Sequence, residues 1–275
     1  MKLSHSLLSL ALLAALPMVA NAERGFEVRD LAKLDRVSSP ILSPDGRKLV
    51  FATRVMDFDA NKASTSLWIE DLMARDAAPP ARLTPEGWNV NSPAFSPDGQ
   101  SLVMTLSREG GSQLFSIRRD GTGLRRLAQS SAIDTEAVFS PDGQQIFFVS
   151  DRGGGPQVYR MPASGGSAER VTFNGSYNIS PAISPDGKTL AFVTRQGGAF
   201  KVCVQDLASG TVQQISDTSE DESPSFAPNG RLLVYATRTG GRDVLMTSTL
   251  DGRIKAKLVS TTADVREPTW GPFGR

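Results

Sequence analysis

A four-residue corner recurs along this chain of 275 residues. Ser-Pro-Asp-Gly stands at Ser43–Gly46, Ser96–Gly99, Ser140–Gly143 and Ser184–Gly187, and Ala-Pro-Asn-Gly at Ala227–Gly230. A degenerate copy, Gly271-Pro272-Phe273, follows. Successive copies lie about 44 residues apart, the first step being about nine longer, and such a period marks a propeller or repeat array. The corner has a physical reason. Pro presets φ at the second turn position, Asp or Asn bonds its own backbone, and Gly takes positive φ without steric cost. An apolar residue precedes each copy (Leu42, Phe95, Phe139, Ile183, Phe226, Trp270) and a β-rich run follows, so the corner reads as a hairpin turn.

Between corners the pattern predicts four strands per unit. In the third unit these are Glu136–Ser140, Gln145–Ser150, Gln157–Met161 and Ala168–Thr172. The neighbours repeat it at Leu102–Ser107 with Leu114–Ile117, Leu190–Thr194 with Phe200–Val204, and Leu232–Thr237 with Asp243–Thr247. Apolar residues alternate along most of them, as in strands packed between sheets. The longer first unit carries its excess in Met56–Thr65 and Arg75–Ala81, polar stretches expected to be loops. Four-stranded sheets repeated radially make a β-propeller; a stacked solenoid would want shorter, flatter repeats. The expected fold is all-β: a propeller over 39–273 of five complete four-stranded blades plus a sixth inner strand, Glu267–Phe273. That is a six-bladed ring left incomplete, because the outer strands of the last unit are not in the sequence. Ahead of it, residues 23–38 form a lead-in. Phe26, Leu31 and Leu34 are spaced for a short helix over Phe26–Val37, with Asp30 a possible cap.

Residues 1–22 read as a secretory signal peptide. Lys2 starts it, Leu7–Leu16 is apolar, and Ala20-Asn21-Ala22 is a small-residue cleavage site. No cysteine follows the site, so lipid attachment there is not expected, and no other stretch is long and apolar enough to span a bilayer. Cleavage after Ala22 removes one cation from a chain whose formal charge is +1, leaving a balanced protein. That balance offers no electrostatic argument for nucleic acid or anionic lipid. Cys203 is the only cysteine, so no internal disulfide can form, and its strand-like context marks it as a small buried apolar residue.

The single histidine, His5, falls in the signal peptide. A Ser-His-Asp triad and a His-ligated metal site are therefore excluded from the mature chain. No Gly-x-Ser-x-Gly elbow is present. Gly153-Gly154-Gly155 follows a strand but opens no helix, so it reads as a turn and not a phosphate cradle. Carboxylate-only chemistry is what remains. The expectation is a non-enzyme with no cofactor and no metal.

Acidic residues gather at one level, just before the first strands: Asp134 and Glu136, Asp221 and Glu222, Asp264 and Glu267, with Arg266 among them. Equivalent positions elsewhere hold Asn89, Asn91, Tyr177, Asn178 and Ile179. If first strands are innermost, these loops ring one mouth of the central channel, where a partner or a cation could bind. The alternative is a solvated loop set with no ligand.

From about Ser92 to Phe273 the chain resembles the propeller of the TolB family. The residues that carry this are Ser150-Asp151-Arg152-Gly153-Gly154, Pro156–Met161, Tyr177-Asn178-Ile179-Ser180-Pro181, Asp221–Gly230 and Arg266–Phe273. Residues 24 to about 91 are similar instead to the propeller start of exported prolyl-oligopeptidase-type peptidases, through Phe26–Leu31, Val37-Ser38-Ser39-Pro40 and Ser43–Gly46. The TolB resemblance implies a periplasmic scaffold of the Tol-Pal system. It implies binding of a Pal-type peptidoglycan-associated lipoprotein at the channel mouth and support of outer-membrane integrity and constriction at division. Its site residues would be Asn89, Asp134–Glu136, Tyr177–Ile179, Asp221–Ser223, Asp264, Arg266 and Glu267. The family reaches TolA through an N-terminal domain and tail with no counterpart here, so that coupling is not carried over. The peptidase resemblance implies another reading, a substrate-gating propeller detached from its hydrolase and inert alone. A carbohydrate-active propeller, the third class, needs a carboxylate pair across a channel pocket.

Overall fold

A computed structural model describes residues 27, 30, 34–74, 79–108, 111–258 and 264–271. The chain divides at Leu34; everything below concerns the unit from Asp35 onward, apart from one turn. There, Asp30 accepts the Glu27 backbone N–H at 2.9 Å while its own N–H donates back to the Glu27 carbonyl. Asp30 thus closes that turn from inside and is not its first residue. Of the rest of the expected Phe26–Val37 helix, Leu34 and Asp35 are not helical and Arg36 and Val37 open a strand, while the remaining positions lie outside the described residues.

Twenty strands fall into five groups of four. Blade 1 holds β1 (Arg36–Leu42), β2 (Lys48–Asp57), β3 (Lys62–Asp71) and β4 (Ala81–Arg82). Blade 2 holds β5 (Asn89–Phe95), β6 (Ser101–Arg108), β7 (Gly111–Arg118) and β8 (Arg125–Arg126). Blade 3 holds β9 (Asp134–Phe139), β10 (Gln145–Ser150), β11 (Gln157–Pro162) and β12 (Glu169–Arg170). Blade 4 holds β13 (Asn178–Ile183), β14 (Thr189–Gln196), β15 (Ala199–Asp206) and β16 (Val212–Gln214). Blade 5 holds β17 (Glu222–Phe226), β18 (Leu232–Thr239), β19 (Arg242–Thr249) and β20 (Lys255–Lys257). Each blade is an antiparallel meander, and one parallel bridge, Thr65 to Asn89, joins the first two into an eight-stranded sheet.

The corners turn the first strand of each blade into the second. In the third, Ser140 Oγ donates to Asp142 Oδ1 at 2.6 Å, Asp142 accepts the Gln144 N–H, and the Gly143 N–H reaches the Ser140 carbonyl. Gly143 sits at φ 70°, which only glycine adopts freely. It also lies over Pro97 of the preceding corner, where a Cβ would stand 3.6 Å from the ring. Gly99 lies over Pro44, Gly187 over Pro141 and Gly230 over Pro185 in the same way, so the corners pave one end of the ring.

The core is four layers, one between each pair of successive blades. Val50, Ala52 and Leu67 meet Leu102, Met104 and Ile117. Val103 and Leu114 meet Ile146, Phe148 and Tyr159. Phe147 and Val158 meet Leu190, Phe192 and Cys203. Ala191, Val193 and Val202 meet Leu233 and Tyr235. Cys203 is buried, and burial, with Asp221 nearby, pushes its thiol up to about 11.

Two expectations are corrected. Met56–Thr65 is not a loop: β2 and β3 pair without a break from Lys48–Asp71 to Asp57–Lys62, and only residues 58–61 turn. The hairpin closes because Asp57 accepts the Ala60 N–H and Asn61 takes φ 47°, so the polar stretch is a long hairpin reaching past its neighbours. Nor is a sixth inner strand formed among residues 264–271, which run without ladder pairing; Phe273 lies outside the described residues.

The Ser-to-Asp bond holds the corner carboxyl of Asp142 below the usual range. A depressed folded value gives stability that is present above the unfolded value, about 3.9, and lost as pH falls through the folded one. Asp142→Asn copies the fifth corner, where Asn229 accepts the Arg231 N–H. Urea unfolding at a series of pH values should show the variant slightly less stable than wild type near neutrality. That difference should vanish as pH falls through the acid range.

Candidate functional site

The first strand of every blade carries the same irregularity. Ser39, Ser92, Glu136, Ser180 and Ser223 lie in the left-handed region, with φ between 50° and 53°. In each, the pairing with the second strand slips by one residue at that point. This is a β-bulge, which bends the strand and re-aims a side chain. Proline follows in all but the third, at Pro40, Pro93, Pro181 and Pro224, where the ladder needs no N–H. A left-handed non-glycine costs roughly 1–2 kcal/mol, so five of them at one level are held by the packing around them. Glu267 adopts φ 51° and precedes Pro268, although its segment pairs with no strand.

These bulges enclose the central channel. Its wall, around a cavity of about 430 Å³, is formed by the bulge triplets of all five blades and by Glu267-Pro268-Thr269. The first strands are therefore innermost, and the C-terminal segment stands in a sixth inner position. It is held by a bond from the Trp270 N–H to Ser225 Oγ at 3.3 Å and by one from the Val265 N–H to the Asp243 carbonyl. Two of the six bulge-level residues are acidic. Glu136 reaches across to the next blade, where its Oε2 accepts the Ser180 N–H at 2.6 Å. Burial pushes the Glu136 carboxyl up, with that bond pulling the other way.

The mouth residues expected from sequence separate into two groups. The first is internal. Asp134 is wholly buried and takes a two-point ion pair from Arg152 Nη2 at 2.9 and 3.1 Å. Arg152 lies over the Phe148 and Tyr159 rings at 5.2 and 5.1 Å. Asn178 is wholly buried and donates to Gln157 Oε1 and the Asn174 carbonyl, both at 2.8 Å. Asp221 is buried and accepts from Ser216, Thr218 and Thr237 hydroxyls. Asn89 accepts the Thr65 N–H of the preceding blade at 3.0 Å. Ile179 packs in the core between blades 4 and 5. The side chains of Asp134, Asn178 and Asp221 are enclosed by the fold and hold the loops in place, and Ile179 is half-buried against its layer.

The second group faces outward. Arg266 donates from Nε to Asp243 Oδ2 at 2.5 Å and stands 3.9 Å from Glu222. Asp264 accepts the Asp243 N–H at 3.1 Å. Glu222, Asp264, Arg266 and Glu267 thus form one charged rim where blade 5 meets the C-terminal segment. Burial pushes the half-buried Glu222 carboxyl up, with Arg266 acting against it. Tyr177 is half-buried, its ring edge-on to Phe200 at 6.1 Å. Thr135 sits within the β9 ladder opposite Val149, and Ser223 lines the channel. Among the described residues no three His, Cys, Asp or Glu side chains converge as metal ligands. Sequence reading missed the bulge ring and Asp243, which anchors the rim. The Ser-Pro that recurs in the first strands of four blades was the available signal, since proline inside a strand run marks a bulge or edge.

A channel walled by innermost strands, each bulged at one left-handed residue, defines a β-propeller. The chain matches the TolB beta propeller domain, PD40, over residues 20–274, and it belongs to that family. A stretch of 68 residues is 53% identical to the Tol-Pal system protein TolB of Polaromonas sp. (strain JS666), covering 25% of this chain and 16% of that protein. The TolB of Dechloromonas aromatica is 46% identical over 72 residues, 26% of this chain and 17% of its own. The crystal structure of TolB from Acinetobacter baumannii superposes with a TM-score of 0.75 at 39% identity, covering 86% of this chain and 58% of that one. A puromycin-hydrolyzing peptidase from Mycobacterium tuberculosis shares the fold, with a TM-score of 0.63 at 17% identity over 84% of this chain and 39% of its own. The chain thus spans less than two thirds of the solved TolB, and the matched stretches are about a sixth of the curated relatives.

Glu136 gives a pH-dependent expectation. Its folded value is raised above the unfolded one, so its favourable contribution is complete below the unfolded value and lost as pH rises through the folded one. Glu136→Gln keeps an acceptor for Ser180 and removes the charge. In urea titrations it should match wild type in acid and exceed it at neutral pH, by under about 1 kcal/mol. Equal or lower stability at neutral pH would mean the carboxylate is better solvated than its place in the channel wall implies.

Proposed function

We propose that this chain is a periplasmic, non-enzymatic binding propeller of the Tol-Pal system, exported by its leader with cleavage after Ala22. Its partner is a Pal-type peptidoglycan-associated lipoprotein held at the channel mouth, in support of outer-membrane integrity and constriction at division. The observation that carries this reading is the family match across the propeller, joined to a charged rim at the mouth. Glu222, Asp264, Arg266, Glu267 and Tyr177 make the contacts. Asn89, Asp134, Thr135, Glu136, Asn178, Ile179, Asp221 and Ser223 shape the surface that presents them. An acidic rim with a single, already paired arginine suits a partner that brings cations or free N–H donors.

Calorimetric titration with a purified Pal-type lipoprotein lacking its lipid tests this. Glu222→Ala with Glu267→Ala should weaken binding at least about tenfold, or 1.4 kcal/mol, and change stability by under about 0.5 kcal/mol. Undiminished affinity would move the site elsewhere, and no binding by wild type would overturn the Pal reading. The non-enzymatic part is tested separately. Chromogenic amide, ester and aminoacyl substrates should not turn over, and turnover abolished by a serine-reactive inhibitor would contradict it.

A further inference from the structure

Asparagine followed by glycine occurs twice, at Asn174-Gly175 and Asn229-Gly230. Such a pair is open to attack by the glycine nitrogen on the asparagine side chain, because no Cβ shields that nitrogen. Asn174 and Asn229 are both exposed, so access to water does not separate them. Their bonding does. Asn229 stands in the fifth corner, where its Oδ1 accepts the Arg231 N–H at 3.0 Å and the Gly230 N–H donates to the Ala227 carbonyl at 2.8 Å. Both reacting groups are committed there, by bonds that close a hairpin.

The loop at residues 172–178 is held the other way round, by its carbonyls. That of Asn174 accepts Asn178 Nδ2 at 2.8 Å, and that of Gly175 accepts Gln157 Nε2 at 3.3 Å. Asn178 and Gln157 are both buried, so the loop is pinned from below. Neither the Asn174 side-chain amide nor the Gly175 N–H has a hydrogen-bond partner among the described residues. Nor can Gly175 readily give way to a residue that would shield its nitrogen. It sits at φ 77°, and a Cβ there would stand 3.1 Å from Thr194 Oγ1.

We propose that Asn174 is a site of spontaneous deamidation in the folded protein, and that the fifth corner protects Asn229. The Gly175 nitrogen gives its proton to solvent and attacks Asn174 Cγ. The Cγ–Nδ2 bond breaks, ammonia leaves, and a succinimide ring closes. Water then adds to one of the two ring carbonyls. Opening at Cγ gives aspartate. Opening at the main-chain carbonyl gives isoaspartate, with the chain rerouted through Cβ and Cγ. Either product puts a carboxylate into a loop whose residues 172–178 carry no charge. In isoaspartate that carboxylate is made from the carbonyl to which Asn178 Nδ2 donates. The modification therefore falls on the bond that ties the start of β13 to the loop carrying Tyr177.

Incubation of the full chain in mildly alkaline buffer, with site-resolved mass spectrometry of its peptides, tests this. Reaction at Asn229 must first break both corner bonds, so Asn174 should convert at least about tenfold faster. Its products should be a mixture of aspartate and isoaspartate, as a succinimide requires. In urea strong enough to unfold the chain, the corner bonds are gone and the two sites should convert at rates within about threefold of each other. Three results would each overturn the proposal: conversion of Asn174 no faster than of Asn229 in the folded chain, the same preference in urea, or aspartate as the sole product.

Discussion

Face-to-face packing of small sheets is the constraint on which everything else rests. A four-stranded meander of this size cannot bury enough apolar surface to stand alone. Each blade here becomes stable only by placing its second and third strands on those of its neighbour. The interdigitation is specific: Phe148 and Tyr159 enter the space left by Val103 and Leu114, and Leu233 and Tyr235 enter that left by Ala191 and Val193. Large side chains on the leading face meet small or branched ones on the trailing face, which lets the blades fan around a channel. The channel is therefore a by-product of apolar packing, and the polar features at its wall and mouth are set by how the innermost strands are held.

Holding them takes polar bonds between successive repeats. Thr84, Thr172 and Ser216 each follow an outer strand and accept the N–H of Leu67, Val158 and Val202. Asn89, Asn178 and Asp221 then tie the start of the next blade to that same region. Which short polar residue stands there follows from what the neighbour supplies. Asn178 faces a carbonyl and so needs a donor. Asp134 faces a guanidinium, and Asp221 faces three hydroxyls, so acceptors alone serve. Asp134 and Asp221 are buried with their partners present, the condition under which a buried polar group is tolerated, whereas Asn178 uses its amide donor and leaves Oδ1 unpartnered.

The same chemistry explains what the sequence made legible. The corners and the alternation of apolar residues depend on local rules, and the strands of blades 2 to 5 lie within three residues of where those rules put them. Blade 1 misled because polar residues such as Thr65 and Ser64 can extend a hairpin beyond its sheet, where water satisfies their side chains. The mouth is less legible. Asp134 and Asp221 are acidic residues in pre-strand loops, and nothing local separates a staple from a ligand contact. The difference lies in Arg152, 18 residues away, and in Ser216 and Thr237, which only the ring brings near. Outward-facing Glu222 and Arg266 carry the same residue types with no local mark to distinguish them.

Asp221 shows how far such a staple reaches. Its carboxylate sits among three hydroxyls, and the groups around it respond. Burial first, and Asp221 second, push the Tyr235 phenol up to about 12 and the Cys203 thiol to about 11. Both therefore stay neutral at any physiological pH, and Cys203 behaves as an apolar filler in the layer between blades 3 and 4. Asp221 stands at the boundary of blades 4 and 5, beside groups that burial keeps neutral. It also lies immediately before Glu222, the first residue of the rim. The stability of the inner strand and the presentation of the rim are consequently one network: whatever loosens the hydroxyls on Asp221 frees the segment that carries Glu222 to the mouth.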